Sequence, residues 1–267
     1  MPEYQVHAIK YGDYVLKSAD AFVIGDPHES PWPIYYYVWL IQGEGRNILL
    51  DTGFTKERGE KRGRKLLRCP SEGLKPFGLT PDDIDTVILS HLHYDHAGNI
   101  PLFPKAEIWV QDEEVRFATG RYIRHPVVRL PFEADDVIEL VRENYNGRVR
   151  FVDGDKELLP GIKVYLMGGH SRGLMATTVE TRRGTLMLAS DCAHFFDNIA
   201  LENPFPIVGD VPTQCETHER LLELADSADH VIPGHDPKVM ELYPRHPGDE
   251  NTVDLAADPL GPSPLAK

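Results

Sequence analysis

The first half of the chain alternates short apolar runs with turn signals. Tyr4–Tyr11, Tyr35–Ile41 and Asn47–Leu50 are rich in β-branched and aromatic residues, which suit a pleated, half-buried backbone, so they read as strands. Gly43-Glu44-Gly45 separates the last two as a hairpin turn. Leu79-Thr80-Pro81-Asp82-Asp83 predicts a short helix, with Thr80 as N-cap and Pro81 at the first helical position, where no N–H is needed. The run Thr86–Leu89 that follows has no charged residue and reads as a buried strand. Further on, Ala106–Val110 predicts a strand and Asp135–Glu143 an amphipathic helix. Ile162–Met167, Leu174–Thr181 and Thr185–Ala189 predict three more strands. Thr213-Gln214-Cys215-Glu216 has the spacing of a capping box opening a helix to about Ala225, and His230-Val231-Ile232 is a last short strand.

Strands in two clusters, each followed by helix, predict an α/β (α+β) fold in which two sheets pack face to face with helices outside. A single domain is expected over 1–243. From Pro244 the sequence holds five prolines and little apolar periodicity, which predicts a Pro-rich surface tail over 244–267.

Charge narrows the function. With 28 Lys+Arg against 42 Asp+Glu the formal net charge is −14, and the densest basic stretch is only Lys56–Arg68. Nucleic-acid binding depends on cationic groups displacing counterions, and an anionic membrane repels the same surface, so neither partner is expected. Three scattered cysteines, Cys69, Cys192 and Cys215, make neither a disulfide framework nor a CxxC site. The start MPEYQVHAIKYGDY lacks a basic, then apolar leader, and Tyr35–Ile41 is too short to span a bilayer, so the expected location is cytoplasmic.

The chemistry is concentrated in Ser90-His91-Leu92-His93-Tyr94-Asp95-His96-Ala97-Gly98-Asn99, directly after the strand Thr86–Leu89. Four ligand-type side chains on one loop can converge on a point, whereas in a continuing strand they would alternate between faces. Imidazole with carboxylate suits Zn²⁺, Fe²⁺, Mn²⁺ or Co²⁺, and the lack of a thiolate argues against a structural zinc knot. His170, Asp191 and His235 each stand where a predicted strand gives way to a loop, two of them beside glycine. A lone histidine at such a place is usually only hydrogen-bonded. Five His and two Asp together are the set that two ions sharing one carboxylate require.

In its ordered motifs the chain resembles the metallo-β-lactamase superfamily: Leu49-Leu50-Asp51-Thr52-Gly53, Ser90–Gly98, Gly169-His170-Ser171, Ser190-Asp191 and Pro233-Gly234-His235. The resemblance implies a four-layer αββα sandwich, with His91, His93 and His170 on one metal ion, Asp95, His96 and His235 on a second, and Asp191 between them. Two divalent ions, zinc first among them, and Asp51 as a partner orienting a ligand histidine come with it. Within the superfamily the sequence looks most like the N-acyl homoserine lactonase group, since Asp191 falls 21 residues after His170 and His235 a further 44 on. That group carries a tyrosine three residues after the bridging Asp, where this chain has His194.

The expected activity is therefore opening of a lactone or cleavage of an ester by hydroxide generated at the metal pair. Asp95 would pass the proton to the departing alkoxide, and His194 would position the carbonyl or leaving group. A small lactone or ester is the expected substrate. Alternatives within the same ligand set are a glyoxalase II-like thioesterase and a single-iron persulfide dioxygenase-like oxidoreductase. The aromatic run Trp32, Tyr35, Tyr36, Tyr37 reads half as pocket wall, half as core. Phe103–Leu130, with Arg116, Phe117, Tyr122 and Arg124, reads as an insertion lining the cleft or forming a homodimer surface. Cys192 reads as a buried, unreactive thiol.

Overall fold

The apolar runs of the first half form strands, longer than their cores suggest. In the computed structural model, which describes residues 3–27 and 29–266, β1 (Gln5–Lys17) and β2 (Pro31–Gly43) pair antiparallel from Gln5↔Gln42 to Lys17↔Pro31, with a bulge between Lys10 and Gly12. Pro31 and Pro33 are tolerated because β3 (Arg46–Leu50) meets β2 only from Trp39 onward, so no neighbour asks for their missing N–H. The β2–β3 hairpin turns on Glu44 and Gly45, both at positive φ (52° and 72°), the twist that a two-residue turn between strands needs.

The remaining strands are β4 (Lys65–Leu66), β5 (Thr86–Ile88), β6 (Glu107–Gln111), β7 (Val149–Val152), β8 (Lys156–Leu159), β9 (Ile162–Leu166), β10 (Met175–Thr181), β11 (Gly184–Ser190), β12 (Val231–Pro233), β13 (Arg245–His246) and β14 (Asp249–Asp254). One sheet runs β13-β14-β1-β2-β3-β5-β6-β7 with β4 beside β1, and the other runs β12-β11-β10-β9-β8. The helices are α1 (Lys56–Lys61), α2 (Tyr94–Ala97), α3 (Asp112–Ala118), α4 (Pro126–Arg129), α5 (Ala134–Tyr145), α6 (Phe196–Ala200), α7 (Val211–Leu224) and α8 (Lys238–Leu242).

Alternation along the strands builds the layers. Val6, Ala8, Trp39, Ile41, Ile48 and Leu50 meet Val164, Met175, Val179, Leu186 and Leu188 between the sheets. The opposite face of the first sheet, with Ile9, Val38, Leu49, Val87 and Ile108, packs on Ala118, Val137 and Leu140 from α3 and α5. The outer face of the second sheet, with Ala176, Met187 and Val231, packs on Ile199 and Leu221 from α6 and α7. Burial on both faces explains why Tyr36 and Tyr37 are both in the core: one points to each layer. The result is a four-layer αββα sandwich.

Three local expectations need correction. The surface tail does not begin at Pro244: β14 pairs with the edge of β1 through His7↔Asp254, Ala8↔Val253 and Ile9↔Thr252, and Val253, Leu255 and Ala256 are buried. The apolar residues there are few and broken by Asp254, and Pro244 and Pro247 flank β13 in a β13–β14 hairpin turned at Gly248 rather than a frayed end. Helix α7 opens at Val211 instead of Thr213, because Asp210 is the N-cap, its Oδ1 accepting the Thr213 N–H at 2.9 Å, and Pro212 is preset for the first turn. The Thr80 cap holds a single 3₁₀ turn, Pro81–Asp83.

Strand direction positions the functional loops. β3 and β5 are parallel in one sheet, and β11 and β12 are parallel in the other; β9 runs with β11 because each is antiparallel to β10. The carboxyl ends of the parallel strands in each sheet thus share an edge, and the Met175 N–H donating to the Ser90 carbonyl (3.0 Å) joins those edges across the sandwich. Among the described residues no helix is long and apolar enough to cross a membrane.

Candidate metal centre

Each loop leaving that edge delivers part of one cluster. β5 leads into His91 and His93, and the short α2 carries Asp95 and His96; β9 leads to His170, β11 to Asp191 and His194, β12 to His235. All eight side chains are buried. Three overlapping groups form, His91, His93, His170 with Asp191, then Asp95, His96 with His235, and then Asp191, His194 with His235, each with its candidate ligand atoms within 4.8 Å of one another. Asp191 lies between the first two groups. Its Oδ2 is 3.1 Å from His170 Nε2 and 3.7 Å from His91 Nε2, whereas its Oδ1 is 3.2 Å from His96 Nε2 and 2.9 Å from His235 Nε2. Atoms bound to one zinc ion at about 2.0–2.2 Å in tetrahedral geometry would lie roughly 3.3–3.6 Å apart, so the spacing suits a cation at each end of the carboxylate.

Asp51 ties the loops from behind. Its carboxylate accepts the Ser90 N–H and hydroxyl, both at 2.8 Å, and lies 2.7 Å from His96 Nδ1, which leaves His96 Nε2 facing the cluster. Ser190 Oγ reaches Ser90 Oγ at 2.9 Å, linking the two sheets. Asp51 and Ser190 both sit at positive φ (64° and 47°), conformations costing on the order of 1–3 kcal/mol each that only a firmly packed surround maintains.

Electrostatics asks for positive charge here. His91 Nε2 and His96 Nε2 are buried with no hydrogen-bond partner, an arrangement that costs free energy unless a cation accepts the lone pairs. Burial, with help from neighbouring imidazoles, pushes His91 and His93 well below the usual histidine range, so they stay neutral and able to ligate. Burial acts against Asp191 ionising, yet His194, His96, His235 and His170 around it hold its carboxyl well below the usual range. Burial acts against charge on His96 and His235 too, yet Asp191 beside them pushes both upward. Neutral imidazoles at His91 and His93, orphaned nitrogens and a carboxylate between the groups fit divalent metal ions.

A family model described as the Metallo-beta-lactamase superfamily matches residues 32–253. The chain belongs to the metallo-β-lactamase superfamily. It is 33% identical over 172 residues to the N-acyl homoserine lactonase AiiB of Agrobacterium fabrum, covering 58% of this chain and 62% of that enzyme. It is 30% identical over 190 residues to an N-acyl homoserine lactonase of Bacillus thuringiensis, covering 65% and 69%. A solved structure titled as an N-acyl homoserine lactone hydrolase, with the product N-hexanoyl-L-homoserine bound at its catalytic metal centre, shares the fold at TM-score 0.76 and 23% identity, over 90% of this chain and 96% of that one.

His194 stands where the resemblance to the lactonase group led a tyrosine to be expected. Its ring stacks flat on Phe205, with centroids 3.8 Å apart and planes at 9°, and its Nε2 lies 3.2 Å from Asp191 Oδ2. Burial lowers its pKa to about 3, so it is a neutral imidazole locked in one plane. Beside His93 and His170 opens a cleft of about 640 Å³ lined by Phe117, Val127, Leu130, Phe132 and Ile207, with Arg172 at its wall. Of the residues expected to line it, Phe117 and Tyr122 do, while Arg116 pairs with Glu113 and Arg124 contacts His125 on the surface. Trp32 packs edge-on against Phe22 and Phe195, and Tyr36 against His235, so the aromatic run supports the centre from below. Cys192 is buried, and burial pushes its thiol well up.

Sequence reasoning missed two buried carboxylates. Asp236 accepts the Phe196 and Lys238 N–H groups, both at 2.9 Å, and fastens the His235 loop to α6. Glu114 accepts from three donors on two loops. Both work through backbone N–H groups, which no motif records. Gly234, in contrast, stands beside His235 in sequence. A Cβ there would lie 2.5 Å from the Ser190 carbonyl oxygen, so the loop approaches β11 only with glycine. Gly234→Ala should destabilise the protein by roughly 1–3 kcal/mol and move His235 off Asp191. Thermal unfolding with metal analysis checks this, and an unchanged melting point would contradict it.

Proposed function

We propose that this chain is a metal-dependent hydrolase that opens a lactone or cleaves an ester at a centre of two divalent cations. His91, His93 and His170 would hold one ion and Asp95, His96 and His235 the other, with Asp191 shared. The observation that carries the reading is the split of the Asp191 carboxylate, one oxygen facing each group of imidazoles. An imidazole-rich set without thiolate favours zinc, with iron, manganese or cobalt compatible.

When bound, the two cations make a water acidic near neutral pH and polarise the carbonyl. The chain's own residues do the rest. Asp95 lies with its oxygens 3.8 Å from His96 Nε2 and 4.0 Å from His235 Nε2, so one oxygen can hold a proton and pass it to the departing alkoxide. His194, clamped on Phe205 with Nε2 3.2 Å from Asp191 Oδ2, would position the carbonyl or leaving oxygen through the edge of its ring, the task a tyrosine hydroxyl would otherwise perform. The cleft beside His93 and His170, with its apolar wall of Phe117, Val127, Leu130 and Phe132, would accommodate a substrate with an apolar arm. The lactonase relatives support a lactone as the small-molecule substrate.

A panel of lactones of varied ring and acyl chain, with aryl esters and thioesters, tests this on metal-loaded protein. Ring opening of at least one lactone or ester is expected, lost on chelation and restored by divalent metal. Asp95→Asn should lower turnover about 10²–10⁴-fold. Activity confined to thioesters would give the reading to a glyoxalase II-like thioesterase, and oxygen uptake to a single-iron dioxygenase. A variant at Asp95 with its metal and full turnover would remove the proton-transfer role.

A further inference from the structure

Glu114 lies at the third position of α3, fully buried, and among the described residues no lysine or arginine pairs with it. Its carboxylate is instead held by three donors from two loops. Oε1 accepts the Leu92 N–H at 2.9 Å; Oε2 accepts the Ser171 hydroxyl at 2.8 Å and the Gly173 N–H at 3.0 Å. Leu92 stands between His91 and His93, and Ser171 directly follows His170. One carboxylate therefore spans the two loops that carry all three imidazoles of the first group. None of its partners adjoins Asp95, His96 or His235 in sequence.

Burial pushes this carboxyl upward, against the pull of its three donors, and among the described residues no counter-cation offsets the cost of burying it. The contact is nonetheless built closely, since a Cβ added at Gly173 would fall on the Glu114 backbone. What a carboxylate provides and an apolar group cannot is a fixed register between the His91–His93 segment and the His170 segment.

We propose that Glu114 is a positioning residue for the first cation, holding His91, His93 and His170 at their mutual spacing before the ion arrives. The proposal rests on the two-cation reading above. Outer partners of this kind typically contribute about 10–100-fold to metal affinity, and here the effect should fall on one ion only.

Glu114→Gln keeps shape and volume but turns an N–H₂ toward either Leu92 N–H or the Ser171 and Gly173 donors. Metal content against a graded chelator series, and titration of the metal-free protein with Co²⁺ followed by its visible spectrum, give the affinity of each site. Wild type should hold two ions. E114Q should lose one about 10–100-fold more readily and keep the other at wild-type affinity, with the histidine-rich Co²⁺ band weakened. Ser171→Ala, which deletes a single donor, should shift the same site in the same direction by less, and guards against a variant that does not fold. Two ions at wild-type affinity in E114Q would overturn the proposal. So would equal loss of both ions, or loss of fold in E114Q combined with unaltered binding in Ser171→Ala. Wild type that binds fewer than two ions would instead overturn the two-cation reading on which the proposal stands.

Discussion

Asp191→Asn should reduce hydrolysis of any substrate the wild type accepts by at least about 10³-fold, roughly 4 kcal/mol of transition-state stabilisation. The amide keeps the size of the side chain but loses the charge and one oxygen. In the native chain that charge sits among His170, His96, His194 and His235, at 3.1, 3.2, 3.2 and 2.9 Å, with one oxygen facing each group of imidazoles. With one neutral oxygen the variant can face one group only, so its metal content should fall along with its rate. Steady-state kinetics with elemental analysis of the same sample checks both, and wild-type rates with two ions retained would contradict the shared role.

Asp51→Ala should have the largest effect on stability. It removes the acceptor of the Ser90 N–H, the Ser90 hydroxyl and His96 Nδ1, all within 2.8 Å and all buried. Stranding these groups costs roughly 3–5 kcal/mol. In a domain of this size that corresponds to a drop in melting temperature of roughly 5–10 °C. Alanine is also forced to hold φ 64°. Asp51→Asn separates the two contributions, because asparagine accepts that φ but turns a donor toward a donor. It should fall between alanine and wild type in thermal unfolding. A melting point within a degree of wild type for Asp51→Ala would sink the claim that this carboxylate ties the loops.

Much of the candidate centre was legible because the side chains that cluster there are local or sit at readable places. His91, His93, Asp95 and His96 fall within six residues after an uncharged strand, and His170, Asp191 and His235 each mark a strand end. The supports were not legible. Glu114 stands in Asp112-Glu113-Glu114 at a helix start, where acids usually face solvent and the helix dipole, and its Ser171 partner is 57 residues away. Asp236 simply follows His235 on its loop, and its partners, the backbone N–H groups of Phe196 and Lys238, carry no sequence signature. The β14 strand was hidden because its apolar stretch is short and prolines surround it; only the free edge of β1 explains why it pairs. Tertiary partners decided each of these, and spacing along a chain does not encode them.

The most direct measurement is anomalous diffraction at the metal absorption edges from crystals of protein purified without chelator. The account predicts two ions about 3.5–4 Å apart, one against His91, His93 and His170, the other against Asp95, His96 and His235, with an oxygen of Asp191 on each. A single ion, or density for metal anywhere but between these side chains, would contradict it.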